Sequence, residues 1–366
     1  MFRREAGRCT ATLIRLLGDV ELAEEAVAEA FTVAAAQWPV RGMPPNPGGW
    51  ITTTARNRAI DRLRRESTRH QRHLAASRLQ HPPPGVLDHE PMDDDDIQRD
   101  LDGLVEVIAD DQLRLMFLCC HPALHPDAQV ALTLRLVGGL DTPEIARAFL
   151  VPEATLAQRL VRAKRKLRDN HAGYRIPEAA ELPDRVPPLL AVIALIFTEG
   201  HTATTGDALA RTDLCVEAIR LGRLLVGLMP DEPEVVGLLA LMVLTEARRS
   251  ARVDADGVMV PLAAQDRSRW DRALIAEGHA LVRACILRDR PGPYQLQAAI
   301  AAVHDAAAAA EDTDWAQIVQ LYDHLYALRP DAVVALNRAV AIGERDGVEA
   351  GLAALEGLVA ALEGYQ

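Results

Sequence analysis

Two stretches concentrate the cationic side chains of this chain. Residues 48–65 read GGWITTTARNRAIDRLRR and residues 154–168 read ATLAQRLVRAKRKLR. Around the first, Arg56, Arg58, Arg62, Arg64, Arg65, Arg69 and Arg72 stand against Asp61 and Glu66. On a helix, positions 58, 62, 65 and 69 share one face, a stripe able to follow a phosphate backbone. Thr52, Thr53, Thr54 and Asn57 lie among them and can reach base edges. The bland alternative is a solvated helix face with no ligand. The second stretch adds Arg159, Arg162, Lys164, Arg165, Lys166 and Arg168, behind a turn and a shorter helix pattern.

Two other clusters invite chemistry. CCHPALHPD (119–127) gathers Cys119, Cys120, His121, His125 and Asp127. Zinc needs ligands that converge tetrahedrally, whereas adjacent cysteines point to different helical faces. A buried cysteine pair at a helix end is the simpler reading, and no metal is expected. FTEGHT (197–202) offers Glu199 and His201 as an acid/base pair, with no nucleophile or Gly-rich loop beside them. There is no GxGxxG, Walker A or HExxH pattern. The sequence thus predicts a protein that binds, with no catalytic residue and no cofactor.

The elements that position these residues are helical. Hydrophobic residues make up 49% of the 366 and aromatics 4%, with alanine and leucine dominant. Residues 10–37 carry helical apolar spacing at Leu13, Leu16, Leu17, Leu22, Val27 and Phe31. PVRGMPPNPGG (39–49) breaks the pattern, and a further helix runs from about Trp50 to His70. Residues 73–97 read as a linker: HPPPG forbids regular helix, and DHEPMDDDD is either a solvated tether or a mimic of DNA charge. Residues 98–172 contain a helix-turn-helix pattern, with Thr142 as cap, Pro143 at the first helical position, EIARAF (144–149), LVPE (150–153), and a second helix over 154–169. Ile145, Ala146, Phe149, Leu156 and Leu160 pack the two helices together. Beyond 175, LLVGLMPDEPEVVGLLAL (224–241) and LYALRPDAVVALNRAV (325–340) repeat a helix end, Pro-Asp and a new helix. That is the grain of stacked helical hairpins of the tetratricopeptide kind. Trp315, Leu321, Tyr322 and Leu325 would fill one hairpin, and the loop 248–271 interrupts the array. The chain stops at ALEGYQ with no polar capping helix, which predicts a clipped array.

Charge divides along the chain. Residues 1–172 sum to −1 and residues 173–366 to −11, so the acidity belongs to the repeats and leaves the basic stretches free to bind DNA. Five cysteines without framework spacing fit a reduced cytoplasm. No apolar run is long enough to span a membrane.

The residues of the first half resemble the extracytoplasmic-function sigma factors of RNA polymerase. Ala23, Glu24, Glu25, Val27, Phe31, Trp50, Ile51, Asn57, Asp61 and Arg64 fit the pattern of their region 2, with Ala28 where a glutamine is usual. Glu144, Ile145, Ala146, Thr155, Arg159, Leu160, Arg162, Ala163, Leu167 and Arg168 fit region 4, with Ala154, Leu156, Ala157 and Gln158 departing mostly where bases would be read. The resemblance implies an all-α chain: a region 2 bundle (1–72), a linker (73–97), a region 4 helix-turn-helix (98–172) and a tetratricopeptide-like regulatory domain (175–366). It implies that Glu24, Glu25 and Glu29 dock on the β′ clamp helices of core polymerase. Asn57, Arg58, Asp61, Arg62, Arg64 and Arg65 would bind and open the −10 element, with the 43–49 loop walling a flipped base. Thr155, Gln158, Arg159, Arg162, Lys164 and Lys166 would serve the −35 major groove, its phosphates or the β flap. The repeat groove would take a protein or peptide. The alternative is a conventional helix-turn-helix activator with a repeat sensor domain, binding promoter DNA without polymerase.

Overall fold

The computed structural model describes residues 2–76, 104–149, 151–170, 174–178, 180–201, 208–254 and 258–356. Helical periodicity becomes helix throughout these residues; extended pairing is confined to one isolated antiparallel bridge, Val253 with Met259. The chain divides into two compact units, Met1–Val192 and Ile193–Gln366.

The first unit begins with α1 (Phe2–Leu17), which ends where Gly18 turns left-handed at φ 70°. Asp19 then caps α2 (Val20–Arg41), its carboxylate accepting from the Leu22 amide at 2.9 Å. α2 buries the small stripe Ala23, Ala26, Val27, Ala30 and Ala34, and α3 (Pro47–Ala76) packs on it through Ile51, Ala55 and Ala59. The break expected at residue 39 comes later, because Pro39 is carried within the last turn of α2. α3 likewise starts three residues before Trp50, with Asn46 accepting from the Gly49 amide at 3.0 Å. Leu16, expected in the apolar face, is 46% exposed.

The same unit continues with α4 (Leu104–Cys119), α5 (Pro126–Leu132), a π turn (Thr133–Val137), α6 (Thr142–Ala148) and α7 (Glu153–Asp169). Leu115, Met116, Phe117, Leu132 and Leu134 form a fully buried centre. α1 packs on both α4 and the π turn. Gly7 makes that approach possible: a Cβ there would lie 2.5 Å from the Val137 carbonyl oxygen. The linker beyond Ala76, with its acidic run, lies outside the described residues.

α8 (Leu182–His201) gives its first half to one unit and its second to the other. The second unit then stacks α9 (Ala208–Leu228), α10 (Pro233–Ala247), α11 (Arg272–Leu287), α12 (Pro293–Ala306), α13 (Trp315–Leu328), α14 (Ala332–Asp346) and α15 (Val348–Leu355), each against its sequence neighbours, with α10 also against α12. Both copies of the Pro-Asp repeat sit between helices, α9 to α10 and α13 to α14. In the second, Asp331 caps α14 by accepting from the Val333 amide at 2.8 Å. Leu325 is buried in a core that Trp315, Leu321 and Tyr322 border. The loop 248–271 is itself packed on the array: Trp270 is buried with Ala247, Ala251 and Ile275, and Arg267 covers its ring at 4.7 Å while donating to the carbonyls of His304 and Ala307.

Candidate functional site

The helix-turn-helix is built by its own backbone demands. The cap expected at Thr142 falls on Asp141 instead. Asp141 accepts from the Glu144 amide at 2.7 Å while Glu144 accepts from the Asp141 amide at 2.9 Å, a reciprocal box that satisfies two orphan donors. Thr142 becomes the first helical residue and Pro143 follows. In α7, Leu156, Leu160, Ala163 and Leu167 are buried, which turns Thr155, Gln158, Arg162 and Lys166 outward. These four and Arg159 line one shallow cleft of about 320 Å³, floored by Leu124, Ala128 and Ala163. Arg159 is held by Asp127 at 3.2 Å. The cleft thus presents amide, hydroxyl and guanidinium groups beside spare positive charge, the mixture suited to base edges flanked by phosphates.

Lys164, expected with that set, lies elsewhere. Its ammonium is 2.5 Å from Glu24 of α2, and Arg135 of the π turn approaches the same carboxylate at 2.5 Å. Burial would raise the Glu24 carboxyl; the Lys164 ammonium, then Arg135, outweigh it and hold it below its usual value. Arg168 pairs with Glu21 one turn away. Glu25 and Glu29 stay exposed on α2 and pair with Arg62 at 2.5 Å and Arg58 at 3.0 Å of α3. Side chains in these two pairs are 42–52% exposed, so each pair is worth about 1 kcal/mol or less and yields readily to a stronger partner. Asn57 and Asp61 are exposed on the same helix. Thr52 points back, 2.9 Å from the Gly48 carbonyl oxygen. Beside the 43–49 loop, Trp38 meets Trp50 edge-on at 5.5 Å. The side chains of Arg64 and Arg65 lie outside the described residues.

The first cluster noted for chemistry is the buried cysteine pair at a helix end that its sequence suggests. Cys119 and Cys120 are fully buried, and burial pushes both thiols up, Cys120 to about 12. The Nδ1 atoms of His121 and His125 accept from backbone amides, of Ala123 at 3.2 Å and Asp127 at 3.3 Å, the latter capping α5. In the second unit His201 meets Cys215 and Glu246, not Glu199: the three ligand atoms lie within 4.8 Å of one another. Spacings of 14 and 31 residues hid this trio from a reading by motif. Arg249 already grips Glu246 with two bonds, at 2.6 and 2.8 Å. His201, stacked on Phe197, is lowered to about 4 by burial and by Arg252, Arg249 and Arg248. A cation there would displace Arg249 and sit among guanidiniums, so the arrangement suits a neutral, structural histidine.

Comparison with known proteins falls along the same divisions. Residues 1–69 match the family described as sigma-70 region 2, and residues 114–167 match sigma-70 region 4. Residues 185–286 match a family of unknown function (DUF6596). Over 353 residues, 96% of this chain and 81% of the relative, it is 43% identical to the uncharacterized protein R00370 of Rhizobium meliloti (strain 1021). Over 165 residues, 45% of this chain and 52% of the relative, it is 26% identical to the probable ECF RNA polymerase sigma factor SigI of Mycobacterium tuberculosis. No solved structure matches. Among the described residues, no helix is long and apolar enough to cross a membrane.

Proposed function

We propose that this chain is an extracytoplasmic-function sigma factor of RNA polymerase, which directs core polymerase to promoters with −35 and −10 elements while its C-terminal helical array regulates that activity. The observation that carries the reading is the α7 cleft, where Thr155, Gln158, Arg159, Arg162 and Lys166 converge. α7 enters the −35 major groove, with Thr155, Gln158 and Arg159 at base edges and Arg162 and Lys166 on phosphates. The exposed face of α3, with Asn57, Arg58, Asp61 and Arg62, holds the −10 strand. Glu24, Glu25 and Glu29 of α2 meet the β′ clamp helices. Binding energy is the whole mechanism: phosphate contacts position, base contacts select, and trapping unstacked bases drives opening.

The test is transcription in vitro on genomic fragments with core polymerase, comparing the full chain with a form ending at His201. Promoter-specific initiation that needs the chain supports the sigma reading; specific promoter binding by the free chain without core, and no initiation with it, would replace it with the conventional activator. A rise or a fall in initiation on truncation makes the array regulatory, and equal output removes that role.

A further inference from the structure

We propose that regions 2 and 4 of this chain hold each other in a closed form through a latch centred on Glu24, so that core polymerase must break region 2 away from region 4 in order to bind. The inference rests on the sigma reading and goes beyond it, because the closing contacts lie within the first unit and need nothing from the helical array.

Four observations place the two regions in one packed body. Glu24 of α2 is shared between Lys164 of α7 and Arg135 of the π turn, each at 2.5 Å, and its side chain is only 19% exposed. Glu21 and Arg168 pair beside it. Arg15 of α1 reaches Asp111 of α4 at 2.9 Å. The Tyr174 hydroxyl, just past α7, lies 2.6 Å from the Ala11 carbonyl and 2.8 Å from the Asp111 carbonyl, tying α1 to α4. Backbone shape agrees with charge: Gly7 of α1 sits where any side chain would strike Val137 of the π turn.

Scale argues that this form cannot be the one on a promoter. Elements centred at −35 and −10 are some 25 base pairs apart, roughly 85 Å of duplex at about 3.4 Å per pair. Here α2 and α7 touch through ion pairs, and helices are only about 10–12 Å thick. One duplex therefore cannot lie in the α7 cleft and on α3 at once while the latch is closed. The clamp-facing carboxylate is also engaged: a polymerase surface that takes Glu24 must replace Lys164 and Arg135. Opening exchanges one set of charge pairs for another and returns Lys164 and Arg168 to the cationic side of α7. Closure lowers the apparent affinity for core in proportion to the fraction that is open.

The test locks and wedges the latch in the full-length chain. Glu21→Cys with Arg168→Cys, treated with a short bismaleimide, should cross-link within one molecule; the five native cysteines are buried. The linked protein should lose core binding by tenfold or more against the same variant capped with N-ethylmaleimide. Gly7→Leu should wedge the regions apart and raise core affinity several-fold, and Arg135→Gln should do the same in case the wedge fails to fold. Absence of the cross-link overturns the closed geometry. A linked protein that binds core as tightly as its capped control overturns the latch alone. Failure of every form, wild type included, to bind core brings down the sigma reading and the latch with it.

Discussion

Arg159 and Arg162 lie one turn apart on α7, yet their surroundings give them different work. Asp127 fixes the Arg159 guanidinium within the cleft, while Arg162 is exposed at its edge. Replacing Arg159 by Gln should therefore change which −35 sequences are used. Arg162→Gln should weaken all promoters alike and lower the slope of log affinity against log salt by about 1. Affinity measured across a set of −35 variants at several salt concentrations separates them, and an unchanged preference in Arg159→Gln would make it a phosphate contact. Asp305 illustrates a residue whose importance is structural. It is buried, and the Arg248 Nε lies 2.8 Å from its Oδ1 but misaligned for a hydrogen bond. Burial raises its carboxyl to about 6, and Arg248 does not offset it. A folded value above the unfolded one means that its stabilising contribution is full below the unfolded value and is lost as pH rises through 6. Asp305→Asn should thus gain on the wild type by about 3 kcal/mol between pH 3.5 and 7.5. Melting curves of the two proteins across that range check it; a constant difference would mean that Asp305 is ionised throughout.

At the scale of elements, the sign of a glycine substitution depends on what the helix faces. Gly227 of α9 has no atom within 4 Å of a would-be Cβ, whereas at Gly237 of α10 a Cβ would meet the Gln295 backbone nitrogen at 2.7 Å. Helix propensity alone favours alanine by about 1 kcal/mol at either site. Gly227→Ala should therefore stabilise by up to about that amount, and Gly237→Ala should cost about 1–3 kcal/mol because α10 and α12 must part. Denaturant midpoints decide, and a stabilising Gly237→Ala would show that the pair separates freely. Such contrasts mark what the sequence could and could not disclose. The apolar spacing of α7 and the Pro-Asp repeats were legible because period and punctuation are local. The helix cap slipped by one residue because aspartate and threonine both cap, and only the Glu144 partner favours Asp141. A run of cations reads alike all round a helix, which by sequence places Lys164 in the −35 set; only the packing of Leu160 and Leu167 turns it toward Glu24. The trio of His201, Cys215 and Glu246 and the contact of Gly7 with Val137 join distant segments, and no local spacing announces them.

For the molecule as a whole, the question is where regulation resides. The net −11 of residues 173–366 places the acidity of the chain in the array. The ion pairs that engage Lys164 and Arg168 come instead from Glu24 and Glu21, inside the first unit. The proposed latch between regions 2 and 4 and the proposed regulatory role of the array are then separable. A chain ending at His201 keeps Gly7, Glu21, Glu24, Arg135, Lys164, Arg168 and Tyr174, so the Glu21→Cys/Arg168→Cys cross-link should form in it as readily as in the full chain. Its yield should change little with added salt in either form, since the Glu24 pairs with Lys164 and Arg135 are largely shielded from solvent and are screened much less than exposed ones. If truncation abolishes the cross-link, the array props the latch shut and the two devices are one. If yield holds while initiation by core polymerase changes, the array works after opening, on the polymerase-bound form.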